Sequence, residues 1–195
     1  MKYTFITGIL LFCFLQGKAQ NNPWTDSLRA FRERYIQHHE VIKDKKERLR
    51  FFAPDSSFRV KVTTERIWDA PWFAMETSGK VKKVFRAWAI VRFEMGGKKM
   101  KLTVYQSQQL MRVKEYEDYL FLPFTDLTNG ESTYENGRYL DLRTGELEAF
   151  EVFLDFNKAY NPYCAYISDV YNCPLPPASN RLPVAVSAGE MKPLH

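Results

Sequence analysis

Residues 84–106 read VFRAWAIVRFEMGGKKMKLTVYQ. From Val84 to Met95 the side chains alternate. Phe85, Ala87, Ala89, Val91 and Phe93 fall on one side, and Arg86, Trp88, Ile90 and Arg92 on the other. A period of two belongs to a strand; a helix repeats every ~3.6 residues and would scatter these positions around its axis. Gly96-Gly97 supplies the positive φ angles of a tight hairpin. Lys98 to Gln106 then returns through Met100, Leu102 and Val104. An antiparallel hairpin is therefore the unit from which the rest of the chain is read.

Outward from the hairpin the same pattern recurs. Phe58, Val60 and Val62 alternate with Arg59, Lys61 and Thr63, and Phe73 to Thr77 is a shorter strand followed by a turn at Ser78-Gly79-Lys80. Downstream, Tyr119 to Phe124, Tyr139 to Leu142, Glu151 to Phe156 and Leu182 to Val186 are strands, with a Thr144-Gly145 turn after the second of them. Ahead of these, Leu28, Phe31, Tyr35, Ile42 and Leu49 fall at helical spacing. Thr25 or Asp26 caps that helix, which spans about residues 26–50 and must end before Pro54. One helix and roughly eight short strands predict a mainly β fold: an antiparallel sandwich or partly open barrel. The N-terminal amphipathic helix packs outside, its apolar stripe laid on the sheet. No βαβ rhythm occurs, which argues against a Rossmann-like cofactor fold; the sequence names no cofactor.

Residues 1–20, MKYTFITGILLFCFLQGKAQ, have the grammar of a secretory signal: Lys2, an apolar run from Ile6 to Leu15, and small residues at Gly17 and Ala19. The run is short for a span, which needs about 20 residues. The expected organisation is a signal peptide over 1–19 and a single β-rich domain over 20–195, exported to the periplasm or secreted, with no transmembrane anchor after cleavage. Removing Lys2 and Lys18 takes the basic count from 28 to 26 against 23 acids, so the net charge falls from +5 to +3. That is too mild a balance to point to nucleic acid. Cys13 leaves with the signal, and Cys164 and Cys173 remain. An even pair in an oxidising compartment forms a disulfide; two buried thiols or half of a metal site are the alternatives, and two Cys alone cannot complete a tetrahedral zinc site. His38 and His39 lie on the helix, where a structural role is the default.

Two polar segments carry the candidate chemistry. Phe124 to Leu142 contains two Asn-Gly steps, Asn129-Gly130 and Asn136-Gly137, around Glu131, Ser132, Thr133 and Tyr134, followed by Arg138 and Tyr139. Loops on a rigid sheet commonly carry function. Equally, such side chains can satisfy their own backbone. Asp155 to Glu190 is dense in Pro, Asn and Tyr, with Asp155 and Asn157 on one face if the strand continues. A buried loop needs such polar contacts merely to exist.

Three stretches, LPFTDLTNGESTYENGRYLDL (122–142), LDFNKAYNPYCAY (154–166) and NCPLPPASNRLPVAVSAGE (172–190), occur in this order. Together they resemble the bacterial and archaeal family known as domain of unknown function 1684; upstream of about Val104 the likeness is weaker. The motif positions that carry the resemblance are Asp126, Thr128, Gly130, Thr133, Tyr134, Gly137, Arg138 and Tyr139, then Asp155, Asn157, Tyr160, Asn161, Cys164, Cys173, Asn180 and Glu190. The resemblance implies a shared fold and a shared site, without an activity. On it, the first expectation is a β-rich module binding a small polar or anionic ligand in a pocket formed by the 126–139 and 155–180 segments. Arg138 would orient the ligand, with Asp155 and Asn157 fixing the loop or the ligand. A hydrolase using two of Asp126, Glu131, Asp155 and Glu190 is the alternative, and a purely structural or interaction role is the third. An open cavity would favour a site; burial with saturated backbone bonds would favour structure.

A last feature is charge. Lys80, Lys82, Lys83, Arg86, Arg92, Lys98, Lys99 and Lys101 face a single acid, Glu94, between Gly79 and Lys101. Such lysines protect edge strands, or attract anionic polysaccharide, lipid headgroups or an acidic partner.

Overall fold

The computed structural model describes residues 22–194. The expected signal peptide, Cys13 and His195 lie outside the described residues. Seven strands are seen: β1 (Arg59–Arg66), β2 (Phe73–Met75), β3 (Lys83–Met95), β4 (Lys98–Ser107), β5 (Tyr119–Phe124), β6 (Arg138–Arg143) and β7 (Val152–Asp155). They form one curled antiparallel sheet, a half-barrel, in the order β6-β5-β4-β3-β1-β7, with β2 alongside β3. Its centre is the hairpin of residues 84–106, paired in register from Met95↔Lys98 to Phe85↔Ser107.

One expected alternation breaks. Ala87 faces Tyr105 but Ala89 faces Val104, so an extra residue bulges out at Trp88. The bulge moves β3 from one face of the sheet to the other. Ala89, Val91 and Phe93 join the main core with Leu102, Val104, Leu120, Leu122, Phe124, Leu140 and Leu154. Phe85 and Ala87 instead join a second cluster with Met75, Tyr105, Phe121 and Tyr139. The carbonyl that the bulge exposes at Trp88 accepts from Ile67 N (3.0 Å) and from the Arg66 guanidinium, whose plane lies 4.0 Å from the Trp88 ring. The sheet thus has two apolar faces.

The helix is shorter than its periodicity suggests. α1 runs Pro23–His38, capped by Asn22, whose side chain accepts from Trp24 N, and with Pro23 in the first turn. It starts before Thr25 and Asp26 because Asn22 is the better cap for a first turn holding a proline. It ends at His39, which turns extended (ψ 110°) and buries its ring against Tyr35, Tyr163 and Tyr166 at centroid distances of 5.4, 5.3 and 4.9 Å. Ile42 and Leu49 still reach a core, packing with Tyr134, Ala165 and Tyr166, but through turns and a single 3₁₀ turn at Lys46–Arg48. Nor does α1 lie on the sheet. Its main partner is the 3₁₀ turn Phe156–Lys158, and Trp24 Nε1 donates to Asp155 Oδ2 at 2.7 Å.

Two further expectations are corrected. Thr144–Leu147 is a single helical turn, α2, rather than a tight turn, because Glu146 reaches back to the Arg143 amide at 2.7 Å. Leu182 to Val186 forms no strand ladder. It is a strap across the open side of the half-barrel, with Leu182, Val186 and Ala188 fully buried in the main core. Pro183 lacks a donor, so a continuous ladder is impossible there. The strap enters where β4 and β5 separate, since these strands pair only at Tyr105↔Phe121. Asn180 fills that gap: its Oδ1 accepts from Thr103 N (2.8 Å), while its Nδ2 donates to Thr103 O and Pro123 O (2.8 Å each). One side-chain amide thereby replaces a strand's worth of pairing.

Candidate functional site

The motif residues come together in three connected networks. In the first, Arg138 on β6 is fully buried. Its guanidinium donates to Asp126 Oδ2 (2.9 Å), Val186 O (2.8 Å), Glu190 O (3.3 Å) and Ala188 O. Burial pulls its pKa down, opposed by Asp126, yet a guanidinium stays charged. Asp126 Oδ1 accepts from Thr128 N (2.8 Å), Thr128 Oγ1 (2.5 Å) and Val186 N (3.1 Å). Thr133 completes the turn through Thr128 Oγ1 at 2.8 Å, and Tyr134 packs below it, its hydroxyl accepting from Asn136. Gly137, at φ 92°, is forced: a Cβ would meet Phe124 O and Pro176 Cγ at 2.6 Å. The segment after β5 binds the strap as far as Val184, where Leu127 N donates to Val184 O at 3.1 Å, and from Val186 onward Arg138 binds the carbonyls in its place.

The second network surrounds Glu190. Its Oε2 accepts from Asn161 N (2.7 Å) and Tyr35 OH (3.1 Å), and its Oε1 from Tyr166 OH. Burial pushes its pKa up to about 7, against those bonds and the charge of Arg138. Asn161 Nδ2 donates to Met191 O at 2.8 Å. In the third, Asp155 Oδ1 accepts from Asn157 N and Nδ2 (3.1 and 2.9 Å), and Asn157 brackets Asp55 through both its N–H and C=O (3.0 and 2.8 Å). Asp155 and Asn157 therefore meet in a 3₁₀ turn, with β7 ending at Asp155. Asp126, Asp155 and Glu190 are each tied to local donors, and Glu131 lies exposed on its loop. Among the described residues no group of His, Cys, Asp and Glu is arranged to hold a metal.

Tyr139 and Tyr160 are placed differently. They bridge as neighbouring strands do, and Tyr139 OH donates to Pro174 O at 2.5 Å. Both lie on the second face of the sheet, under the segment closed by the Cys164–Cys173 disulfide (Cα–Cα 6.3 Å). Here the structure adds residues that motif reading passed over. Tyr160 OH and Tyr119 OH both donate to one oxygen of Asp141, Oδ1, at 2.6 and 2.7 Å. Among the described residues no donor reaches Oδ2. Asp141 has exposed surface, while the protein packed around it raises its pKa by desolvation, opposed by Tyr160, Tyr119 and Arg143. Asp141 is thus a surface carboxylate held by two tyrosine hydroxyls. Aromatic rings cluster nearby: Tyr139 and Tyr35 each lie 5.8 Å from Tyr160, and Tyr163 lies within reach of the Asp141 charge and 5.2 Å from Tyr171. Two surface hollows lie elsewhere, one of about 500 Å³ by Trp24 and Phe52, another of about 700 Å³ near the turn of the central hairpin.

A signal for Asp141 was present. Period two on β6 puts Tyr139, Asp141 and Arg143 on one face, with the carboxylate between an aromatic ring and a cation. Its partners were not legible, because Phe121↔Asp141 and the reach of Tyr119 and Tyr160 depend on register.

Comparison with known proteins places this architecture. Among curated proteins none matches the chain. A solved structure does: an uncharacterised protein of Haloarcula marismortui, determined in solution by NMR. It is 32% identical over 87% of this chain and 94% of its own, with a TM-score of 0.65. The profile of the family described as "Protein of unknown function (DUF1684)" matches residues 45–191, the span that contains the whole sheet, the strap and the motif residues of the three networks, with Tyr35 and Trp24 of α1 outside it. The chain therefore belongs to the DUF1684 family.

Proposed function

We propose that this protein is an exported β module that binds a small polar ligand at the tyrosine-flanked carboxylate of Asp141, the ligand presenting a hydrogen-bond donor or a positive charge. The observation that carries the reading is the pair of tyrosine hydroxyls fixed on Asp141 Oδ1, which leaves Oδ2 of this exposed residue without a donor among the described residues. Such a carboxylate favours a donor, and the surrounding rings offer faces to a cation or to the apolar side of a polyol. Asp141 lies between the end of the 126–139 segment and the 155–180 segment. The buried motif residues act at one remove: Arg138, Asp126, Asn161 and Glu190 fix the strap and the Tyr160–Tyr166 turn, and so the rings near Asp141. Export is supported by the leader-like residues 1–19 and by the disulfide across Cys164 and Cys173.

The test is a thermal-shift panel of amines, quaternary ammonium compounds and sugars on the wild type and Asp141→Asn. Asn keeps the acceptor for both tyrosines and replaces the open oxygen by a donor. A ligand at about a hundred times its Kd adds about 3 kcal/mol to the wild type. The expected result is that this gain disappears in Asp141→Asn while the variant's own Tm is nearly unchanged. Equal stabilisation of both proteins by every hit would remove Asp141 from the site. Cell fractionation tests export, and retention of the full-length chain in the cytoplasm would contradict it.

A further inference from the structure

A second surface, remote in chemistry from the carboxylate of Asp141, is basic. Beside the gap that Asn180 fills, where β4 leaves β5, a groove of about 700 Å³ runs between β4 and the strap. Its walls carry Arg92, Lys99, Lys101 and Arg181, with the hydroxyls of Thr63 and Ser179. Three cations elsewhere on the surface are paired: Lys61 with Glu151 at 2.7 Å, Lys82 with Glu76 at 2.6 Å, and Arg143 with Asp118 at 2.5 Å. In the groove Arg92 is paired with Glu65 at 2.8 Å, but Lys99, Lys101 and Arg181 have no carboxylate within 4.0 Å among the described residues. Arg92 and Lys101 also face each other directly across β3 and β4. Like charges in register destabilise a sheet unless an anion sits between them. One acid, Glu94, lines the groove, facing Lys99 across β3 and β4 without closing an ion pair.

We propose that this groove binds a phosphoryl group. Three unpaired cations and two hydroxyl donors surround one concavity, and a tetrahedral dianion offers acceptors on every side. A carboxylate offers two in one plane and leaves most of these donors unused. The strand backbone forms a rigid floor, and the strap, held by Asn180, sets Arg181 opposite the lysines. Two sources carry the same chemistry: a soluble phosphorylated compound, or the headgroup of an anionic phospholipid at a membrane surface.

The experiment has two arms at low ionic strength. Inorganic pyrophosphate is titrated calorimetrically, and vesicles of phosphatidylglycerol mixed with phosphatidylcholine are tested by co-sedimentation against pure phosphatidylcholine. Each arm uses the wild type, the double variant Lys101→Gln/Arg181→Gln, and the charge-matched control Lys45→Gln/Lys114→Gln, all four positions being exposed. Binding in at least one arm is expected, falling roughly tenfold in the groove variant and little in the control. The arm that responds identifies the source. No binding in either arm, equal binding by both variants, or an equal response to citrate would each overturn the assignment.

Discussion

Replacing Arg138 by Met tests whether the family motifs hold the fold. Met fills comparable volume beside the Phe124 ring and removes four hydrogen bonds: one to Asp126 and three to the strap carbonyls of Val186, Ala188 and Glu190. Breaking a buried ion pair by removing one partner costs about 3–5 kcal/mol. Asp126 keeps Thr128 N, Thr128 Oγ1 and Val186 N as donors, which puts this share at the lower end. Three carbonyls left short of a donor add about 1 kcal/mol each, less whatever water recovers. The expected loss is about 5 kcal/mol, against roughly 5–15 kcal/mol for a whole domain. Urea unfolding at neutral pH, followed by far-UV circular dichroism and tryptophan fluorescence, reads this as a midpoint lower by about 2 M if m is roughly 2–3 kcal/mol per M. Arg138→Lys keeps a charge facing Asp126 but not the planar fork, so its midpoint should fall between the two and stay measurable even if the Met variant is largely unfolded. A Met variant within about 0.5 M of wild type would refute the reasoning, as would a Lys variant equal to wild type.

Other consequences can be checked alongside. His39 is pushed down to about 4 by burial and then by Lys46, and Glu190 is pushed up to about 7, chiefly by burial. Between roughly pH 4 and 6.5 the unfolded chain takes a proton at His39 that the folded one refuses, so stability rises with pH. Between roughly pH 4.5 and 7 the folded chain keeps a proton on Glu190 that the unfolded one has lost, so stability falls with pH. The two nearly cancel: His39→Phe should show stability falling by up to about 3 kcal/mol from pH 4.5 to 7.5, and Glu190→Gln the opposite slope. Parallel profiles for both variants would rule this out. Gly189, at φ 76°, would place a Cβ 2.6 Å from Ala159 O and 2.7 Å from Phe156 O; Gly189→Ala should cost about 2 kcal/mol or more, whereas Gly145→Ala, in open space, should be neutral or slightly stabilising. Asn180→Ala should cost about 3 kcal/mol and release the Thr103 amide to fast hydrogen exchange; continued protection of that amide would show that the β4–β5 gap closes without Asn180.

What the residues disclosed follows from the range of the forces involved. Strands β1, β3, β4 and β5 were legible because alternation and the Gly96-Gly97 turn are local signals. The bulge at Trp88 was not, since Arg66 and Ile67, which satisfy its carbonyl, come from another strand. Helical spacing carries the pattern through Ile42 and Leu49, and both are buried, yet the ring of His39, packed by three tyrosines, ends the helix first. The apolar residues of Leu182 to Val186 suggest a strand, while its partners are Thr125 and Leu127 beyond β5 and then the side chain of Arg138 from β6. The importance of Arg138, Asp126, Asn180 and Glu190 was legible from the motifs. Their geometry places them in the interior, and leaves Tyr139 and Tyr160, of the residues singled out, beside an open carboxylate that only strand register could reveal.

The most direct measurement is an NMR titration of the labelled protein with whichever amine or polyol scores highest in the thermal panel. The resonances of Tyr119, Tyr139, Asp141 and Tyr160 should shift together and saturably in the wild type, and stay still in Asp141→Asn while that protein remains folded. Saturable shifts confined to other residues, or an unchanged response in Asp141→Asn, would contradict a ligand site at Asp141.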